Sequence, residues 1–320
     1  MKTIGFIKST KENENRRALL PQDILGIKNK EYLFFEEGYG HSLGIEDEEY
    51  LKLGCNVSPK SEVFLKDIIC DPKIGDSEYL SDLRKGQIIF GWIHAVQNRE
   101  ITDNLLINKT TAIAWEDMFE KGRHVFWRNN ELAGEAAIMH AFTLYGKLPY
   151  ECNVAILGKG NTARGAYKTL SSLGANVTVY DRRTEKLLRE ELENYDVVVN
   201  GVLWDTSRND HVIYREDLRK MKKPALIIDI SCDNAGAIET STPTSIENPT
   251  YSIDKVMHYV VDHTPSLISH TVSKSISKEV AKYVDSLVQN DCSNNPVLKD
   301  AIIVENGEIV DSRIIDFQRR

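Results

Sequence analysis

The sequence predicts an α/β fold built on parallel sheets, and three observations support this class. Short apolar runs alternate with segments of helical composition along most of the 320 residues. One of these runs leads through a glycine-containing turn directly into a helical segment. The composition, 41% hydrophobic and 28% charged, is that of a globular protein with a proper core, and the length fits two domains.

The first part of the chain predicts a series of strands that end in polar residues. The apolar runs are 4–7, 32–35, 64–70, 87–93 and 111–115, with a charged loop at 11–17 and a helix that opens at Leu19-Leu20-Pro21. Lys73, His94 and Glu116 follow the last three of these runs. Because groups just past the strand ends of a parallel sheet line its ligand cleft, we expect these side chains in one cleft.

The second part of the chain predicts a long alanine-rich helix and a further set of strands. The helix spans 129–145, and the strands are 153–157, 176–180, 196–200 and 225–230. Near the end, Asn306-Gly307 lies between apolar flanks over 302–310, which indicates a hairpin.

A phosphate-binding turn is predicted where the strand 153–157 meets the following helix. Gly158-x-Gly160-x-x-Ala163 follows the strand, and Asp181 lies close to the spacing of about 20 residues expected for a dinucleotide fingerprint. Gly158 allows a tight turn, Gly160 a close approach of the pyrophosphate, and Ala163 close packing of helix on strand; Asn161 and Thr162 begin the helix whose N–H groups face the phosphates. A glycine turn that binds nothing is the alternative, and this context disfavours it.

The choice between NAD and NADP is open on the sequence. Asp181 could accept a hydrogen bond from a ribose 2′-hydroxyl, which favours NAD. Arg182 and Arg183 follow at once, and guanidinium groups there can bind a 2′-phosphate. We favour NADP, since an NAD site gains little from two positive charges beside the ribose.

Several classes of protein are disfavoured by charge and composition. The net charge of −8 argues against a nucleic-acid partner and against a basic membrane-surface helix, and no apolar stretch approaches the ~20 residues of a membrane span. The N-terminal apolar run is too short for a signal peptide. The five cysteines form no C-x-x-C pair, so we expect free thiols and a cytoplasmic protein. The histidines show no metal-binding spacing, so no metal site is predicted.

Longer motifs, spread over nearly the whole chain, carry a resemblance to one enzyme family. They are the loop 11–21 with Arg16, Asp71-Pro72-Lys73, Ile93-His94, 228–240 with Asp233, 248–251 and 258–265. On these motifs the chain resembles the family that contains alanine dehydrogenase, the N-terminal part of proton-translocating transhydrogenase and lysine-forming saccharopine dehydrogenase.

This resemblance implies two Rossmann-like domains with parallel sheets, the nucleotide-binding domain being inserted into the catalytic domain. We place the catalytic and substrate domain at 1–127 plus 270–320, and the dinucleotide-binding domain at 128–269. The resemblance also implies a homo-oligomer. Two departures from alanine dehydrogenase, Lys159 within the glycine turn and Glu135 where the family commonly has arginine, argue against alanine and NAD.

The resemblance further implies reductive amination. Within the family, the chain is most similar to the branch that joins pyruvate to the side-chain amine of ornithine, or of lysine, with NADPH. Arg16 would bind the pyruvate carboxylate, with Arg17 as its neighbouring competitor. Lys73 would bind the keto oxygen, and His94 would be the general acid and base. Asp233 would orient His94 or the amine, and Thr264 would lie on the nicotinamide side of the cofactor.

Other functions stay open at this point. They are alanine dehydrogenase acting on free ammonia, an opine-forming enzyme similar to saccharopine dehydrogenase, a non-catalytic NADP sensor and a soluble transhydrogenase subunit. The groups that hold the amino-acid head are also open; by position alone the candidates are Glu116, Asp117, Arg128, Glu131 and Glu135.

Overall fold

Two large, mostly parallel sheets organise the chain in the computed structural model, which describes residues 1–205 and 208–320. The strands are β1 (Ile4–Phe6), β2 (Leu33–Glu36), β3 (Asn56–Ser58), β4 (Ile68–Cys70), β5 (Ile88–Gly91), β6 (Thr111–Ala114), β7 (Phe119–Glu120), β8 (Arg123–His124), β9 (Asn153–Leu157), β10 (Asn176–Tyr180), β11 (Val197–Asn200), β12 (Ala225–Asp229), β13 (Thr250–Ile253), β14 (Val256–Tyr259), β15 (Ile302–Glu305) and β16 (Glu308–Ile309).

Helices connect most of these strands. They are α1 (Pro21–Ile24), α2 (Asp47–Lys52), α3 (Lys60–Val63), α4 (Arg99–Ile107), α5 (Trp127–Tyr145), α6 (Asn161–Ser172), α7 (Glu185–Glu190), α8 (Ser269–Val288), α9 (Pro296–Asp300) and α10 (Ser312–Gln318). The chain divides into two compact units, one formed by Met1–Phe126 with Ser269–Arg320 and the other by Trp127–Ile268. No helix in the described ranges is both long and apolar enough to cross a membrane.

The first unit is built on a sheet with the strand order β16-β15-β6-β5-β4-β1-β2-β3. The strands from β6 to β3 run parallel, and β15 joins β6 antiparallel. The hairpin predicted at Asn306-Gly307 is confirmed, with positive φ angles of 50° and 82° at its two turn residues. Because β4, β5 and β6 are parallel neighbours, the segments that follow them come out at one edge of the sheet.

The second unit has the strand order β10-β9-β11-β12-β14-β13, and only the pair β13–β14 is antiparallel. Strand β9 is fully interior, so its apolar residues Val154 to Leu157 are buried on both faces. Two glycines let α5 and α6 pack in contact: a Cβ added to Gly165 would lie 1.9 Å from the Glu131 carbonyl oxygen, and one added to Gly134 would lie 2.1 Å from that of Thr162. This packing fixes the helix that follows the glycine turn.

The fold class predicted from the sequence is confirmed, and the differences are local. The run 64–70 yields a strand only from Ile68, because Lys60–Val63 forms a helix that ends at Phe64. The long helix begins at Trp127, two residues earlier than predicted. The motif 258–265, for which no strand was predicted, begins inside strand β14, where the buried His258 ring hydrogen-bonds with the Thr240 hydroxyl at 2.8 Å. A buried polar residue whose hydrogen bonds are made inside the sheet interrupts the apolar run from which a strand is predicted.

Candidate active site

Arg16 is a buried guanidinium in the first unit, with only 3% of its surface exposed. Glu14 accepts from its Nε at 2.8 Å and from its Nη2 at 2.5 Å. The Arg16 guanidinium also lies 5.0 Å from the centre of the Trp92 ring. Burial alone would raise the pKa of Glu14, but the charge and hydrogen bonds of Arg16 outweigh it and lower this pKa. The pair is therefore ionised, and the guanidinium plane is held in one orientation.

Arg17, the alternative to Arg16 as the carboxylate-binding residue, makes hydrogen bonds that hold the first unit together. Its Nε donates to the Tyr39 carbonyl oxygen and its Nη1 to the Arg16 carbonyl oxygen at 2.9 Å. Its backbone N–H donates to the Ser273 hydroxyl at 2.9 Å. Arg17 therefore joins the loop to the turn that follows β2 and to α8.

Lys73 follows β4 and is nearly buried, with its Nζ 2.7 Å from Oδ2 of Asp76. Burial would raise the pKa of Asp76, but the nearby Lys73 charge prevails and lowers it, so the two groups form an ion pair. The loop is held by Asp71, which is fully buried and accepts hydrogen bonds from the Lys73 N–H at 2.8 Å and from the Ser77 hydroxyl at 3.0 Å. Burial raises the pKa of Asp71.

His94 follows β5 and has a backbone φ of +55°, a left-handed conformation that is uncommon for a residue other than glycine. Its N–H donates to Oε1 of Glu116 at 2.6 Å, and the Ile93 N–H donates to Oε2 of the same carboxylate at 3.2 Å. The imidazole is half exposed, and its Nδ1 lies 3.9 Å from Glu116 Oε1. Glu116 thus stabilises the strained turn that carries the imidazole.

The pKa of His94 is lowered from the usual histidine value. Partial loss of water around the half-exposed ring is the largest cause, and the positive charges of Lys73 and Arg16 act in the same direction, whereas Glu116 and Asp76 oppose them. The imidazole is therefore neutral near pH 7. These mutual effects also show that the groups following β1, β4, β5 and β6 share one electrostatic environment, as the strand order predicts.

A polar cavity of about 420 Å³ lies beside Asp76 in the same unit. It is lined by carboxylates, amides, hydroxyls, apolar side chains and one lysine, from Lys11, Gly75, Asp76, Ser77, Glu78, Leu80, Ser81, Asn98, Glu100, Ile101 and Asn104. Asp76 connects this cavity to the active-site loop, because Lys73 and Lys11 both lie within ion-pair distance of its Oδ2, at 2.7 and 3.9 Å.

The glycine turn of the second unit has the geometry of a phosphate site. Gly158 has a φ of +115° and donates its N–H to the Tyr180 carbonyl oxygen at 2.8 Å. Gly160 immediately precedes α6, and a Cβ added to it would meet no protein atom within 4 Å. Ala163 is buried and packs against Gly201. Asn161 and Thr162 form the first turn of α6, whose leading N–H groups have no partner within the helix.

Asp181 follows β10 and is surrounded by cations. Its Oδ2 accepts from Lys159 Nζ at 2.7 Å and from Arg183 Nη2 at 3.2 Å, and its Oδ1 accepts from the Arg183 N–H at 2.9 Å. These hydrogen bonds, that of Lys159 first, hold the pKa of Asp181 well below its usual value. Arg182 lies 4.0 Å from Asp205. Of the predicted residues after β10, Arg183 therefore contacts Asp181 together with Lys159, whereas Arg182 faces Asp205.

Asp233 and Thr264 also belong to the second unit. Burial and the nearby charge of Asp229 raise the pKa of Asp233 to about 6. Asp229 is itself buried and accepts from Asn200 Nδ2 at 2.9 Å and from the Ser241 hydroxyl at 2.5 Å, which fixes the loop after β12. The Thr264 hydroxyl is buried and donates to the Ala133 carbonyl oxygen at 3.0 Å, so its proton is used within the unit.

The charged residues that were candidates for the amino-acid head belong to ion pairs. Arg128 Nη1 lies 2.7 Å from Glu131 and 2.8 Å from Glu135, and Arg164 and Lys168 of α6 pair with the same two carboxylates. Asp117 pairs with Arg313 at 2.7 Å. These contacts give four of the five residues a role in packing.

Sequence reasoning missed Glu14, Asp71, Asp76 and Lys159 as parts of the sites, and it gave Glu116 no role at His94. The signals in the sequence were a carboxylate two residues before Arg16, carboxylates two residues before and three residues after Lys73, and the departure of Lys159 from the family's glycine turn. Within the described ranges, no group of three or more histidine, cysteine, aspartate or glutamate side chains is arranged to hold a metal ion.

Comparison with family models matches both halves of the chain. The N-terminal domain model of alanine dehydrogenase/PNT matches residues 5–126, and the C-terminal domain model matches residues 182–312. The model of the NAD-binding domain of D-isomer specific 2-hydroxyacid dehydrogenases matches residues 117–235, which include the glycine turn.

Two kinds of relative cover most of the chain. An N(5)-(carboxyethyl)ornithine synthase of Clostridium botulinum is 34% identical over 300 residues, or 88% of this chain and 94% of that protein. One from Lactococcus lactis subsp. lactis is 33% identical over 306 residues, or 91% of this chain and 97% of that protein. An alanine dehydrogenase of Mycobacterium tuberculosis is 24% identical over 353 residues, covering 97% of this chain and 95% of that protein.

Solved structures support the fold. An L-alanine dehydrogenase has a TM-score of 0.84 at 21% identity, covering 99% of both chains. A transhydrogenase from Sinorhizobium meliloti has a TM-score of 0.80 at 19% identity, covering 97% of this chain and all of that one (100%).

Proposed function

The chain belongs to the alanine dehydrogenase/PNT family, and on this premise we propose that it is an NADPH-dependent N5-(carboxyethyl)ornithine synthase. As a member of the family, it is an NAD(P)-dependent oxidoreductase of small molecules that acts on CH–NH bonds. The proposed reaction joins pyruvate to the side-chain amine of ornithine or lysine. The observation that carries the proposal is the 33–34% identity to N(5)-(carboxyethyl)ornithine synthases over about nine tenths of the chain.

The reaction needs a carboxylate anchor, a group that polarises the keto oxygen, and a proton acceptor and donor. The amine adds to C2 of pyruvate, water leaves from the carbinolamine, and reduction of the imine at C2 gives a secondary amine. The bound nicotinamide supplies the hydride for that reduction. In our assignment the guanidinium group of Arg16 binds the pyruvate carboxylate, and Lys73 Nζ donates to the keto oxygen and stabilises the charge that develops there.

His94 moves the protons in this scheme. An alkylammonium group is not nucleophilic, and its usual pKa is about 10.4, so the site must remove a proton before the amine can add. The lowered pKa of His94 leaves its imidazole neutral and able to accept that proton near pH 7. Because Nδ1 faces Glu116, we assign Nε2 as the atom that accepts the proton and later donates it to the departing hydroxyl. We also assign Asp233, whose pKa is raised to about 6, to the proton transfers.

The second unit fits a dinucleotide. The left-handed Gly158 and the open space at Gly160 give the pyrophosphate a path to the first turn of α6, formed by Asn161, Thr162 and Ala163. The site of the 2′-substituent would include Asp181, Arg182 and Arg183. The positive charges there favour NADPH over NADH.

We assign the head of the amine substrate to the cavity beside Asp76. An amino acid presents a positive α-amine and a negative α-carboxylate, and the cavity offers both Glu78 and Glu100 for the first and Lys11 for the second. Its neighbour Lys73 connects it to the proposed pyruvate site through Asp76. A free ammonia substrate would need no such cavity.

Initial rates with each amine test the proposed function. NADPH or NADH is oxidised with pyruvate in the presence of ornithine, lysine or ammonia, and the product is identified by mass spectrometry. We expect a carboxyethyl derivative of ornithine or lysine, formed faster with NADPH. Turnover with ammonia alone, giving alanine, would overturn the proposal in favour of an alanine dehydrogenase.

His94→Ala tests the assigned mechanism separately. General acid–base catalysis contributes about 10²–10⁴-fold, so we expect a loss of turnover in that range while NADPH still binds. Unimpaired turnover would remove His94 from the mechanism.

We also propose a cytoplasmic homo-oligomer. The free thiols of the five cysteines support a reducing compartment, and homo-oligomers are expected in this family. Fractionation of the source cells and sedimentation analysis of the purified protein would test these two points.

A further inference from the structure

Lys159 is the middle residue of Gly158-x-Gly160, a position at which the dinucleotide fingerprint requires no particular residue type, yet its side chain makes a specific contact. Its Nζ lies 2.7 Å from Asp181 Oδ2. The contact is favoured by the backbone, because the Gly158 N–H donates to the carbonyl oxygen of Tyr180, the residue before Asp181. The phosphate turn and the end of β10 are thus joined, and Lys159 reaches from one to the other.

The carboxylate of Asp181 has little capacity left for a ribose hydroxyl. Its Oδ2 carries both Lys159 and Arg183, and its Oδ1 carries the Arg183 N–H at 2.9 Å. In NAD-binding domains, an acidic residue at this point of the fold accepts the 2′-hydroxyl. Here a 2′-hydroxyl would have to compete for the carboxylate with two cations and a backbone N–H that already bind it.

A 2′-phosphate, in contrast, would be attracted by the cations near Asp181. Lys159 and Arg183 contact Asp181, and the neighbouring Arg182 lies 4.0 Å from Asp205. These three cations exceed the two carboxylates by one positive charge, which a phosphate of about −1.5 to −2 charges would more than balance. Their side chains are 59%, 79% and 87% exposed. Exposed ion pairs contribute little to stability, so these cations can turn from their present partners to a phosphate at small cost.

We propose that Lys159 is a specificity-determining residue that converts the Asp181 site from recognition of a 2′-hydroxyl to recognition of a 2′-phosphate. It neutralises the carboxylate that would repel the phosphate, and it supplies an ammonium group to bind the phosphate. This inference rests on the proposed use of NADPH, and it assigns that preference to a residue of the glycine turn in addition to the two arginines.

The adenosine half of the cofactor tests this assignment without catalysis. Binding of 2′,5′-ADP and of 5′-AMP is measured by isothermal titration calorimetry for the full chain and for Lys159→Met and Lys159→Gln. We expect the full chain to bind 2′,5′-ADP at least about tenfold more tightly than 5′-AMP, and each variant to lose about tenfold of that ratio, mostly through weaker binding of 2′,5′-ADP.

The matched control is Lys168→Met, which removes an exposed lysine of α6 that pairs with Glu135. We expect it to leave the ratio unchanged, and circular dichroism establishes that each variant is folded. A full chain without preference for 2′,5′-ADP would contradict the proposed use of NADPH. A full chain with the preference, whose Lys159 variants keep it undiminished, would overturn the role of Lys159 alone.

Discussion

The Glu116 carboxylate accepts a 2.6 Å hydrogen bond from the backbone N–H of His94. Glu116, two residues beyond the end of β6, thereby stabilises the left-handed turn after β5 that carries the imidazole. Sequence analysis expected Glu116 in one cleft with His94 and considered it as an amine ligand; this contact supports a positioning role for it at the proposed acid and base.

Two substitutions of Glu116 separate its geometric and electrostatic effects. Glu116→Gln keeps an oxygen for the backbone N–H but removes the charge that raises the pKa of His94. A base works when deprotonated, so the acidic limb of the kcat/KM profile for pyruvate should move to lower pH in this variant. Glu116→Ala releases the turn and should lower kcat by about tenfold to a hundredfold. Profiles and rates identical to those of the unaltered chain in both variants would contradict this role.

Arg16→Lys should weaken pyruvate binding with little effect on the cofactor. Lysine keeps the charge but cannot bind a carboxylate bidentately, so we expect KM for pyruvate to rise by about tenfold or more. Arg17→Lys is the matched control, since Arg17 bonds to backbone carbonyls. That variant should lower the free energy of unfolding by about 1–3 kcal/mol and leave KM unchanged. The reverse pattern would exchange the two roles.

Substitution by alanine should have different effects at two glycines, one within α6 and one just before it: the first should lower stability and the second should lower dinucleotide affinity. At Gly165 the new Cβ would lie 1.9 Å from the Glu131 carbonyl oxygen, so α5 and α6 must move apart, at a cost of about 1–3 kcal/mol or more. At Gly160 the Cβ meets no protein atom, so the fold should keep its thermal midpoint while dinucleotide affinity falls by about tenfold or more. Thermal melts and cofactor titrations measure both; a Gly160→Ala variant with unchanged affinity would argue against a pyrophosphate at this turn.

Glu100→Gln tests the cavity assigned to the amino-acid head. Removing one carboxylate from the lining should raise KM for ornithine by about threefold to tenfold and leave KM for pyruvate unchanged. Glu62→Gln, an exposed change on α3 outside the cavity, is the control. If the two variants have the same KM for ornithine, the head binds elsewhere.

The sequence by itself determined the fold class, the glycine turn and the strand-end positions of Lys73 and His94. These follow from local rules: apolar periodicity marks strands, and glycines at fixed spacing mark a turn that only a few residue types can form. Such signals lie within a few neighbouring residues and need no knowledge of the rest of the chain.

Only the tertiary structure decided which charges are paired and which groups share a site. It gave Arg16 and Arg17 different hydrogen-bond partners. It brought Glu116 to His94, and Lys159 to Asp181, each across 22 residues of sequence. It also placed Glu131 and Glu135 in a network of ion pairs between helices. The physical reason is that electrostatic partners are chosen by distance and burial in space. Contacts between adjacent parallel strands join residues that the sequence keeps apart, so no local pattern records them.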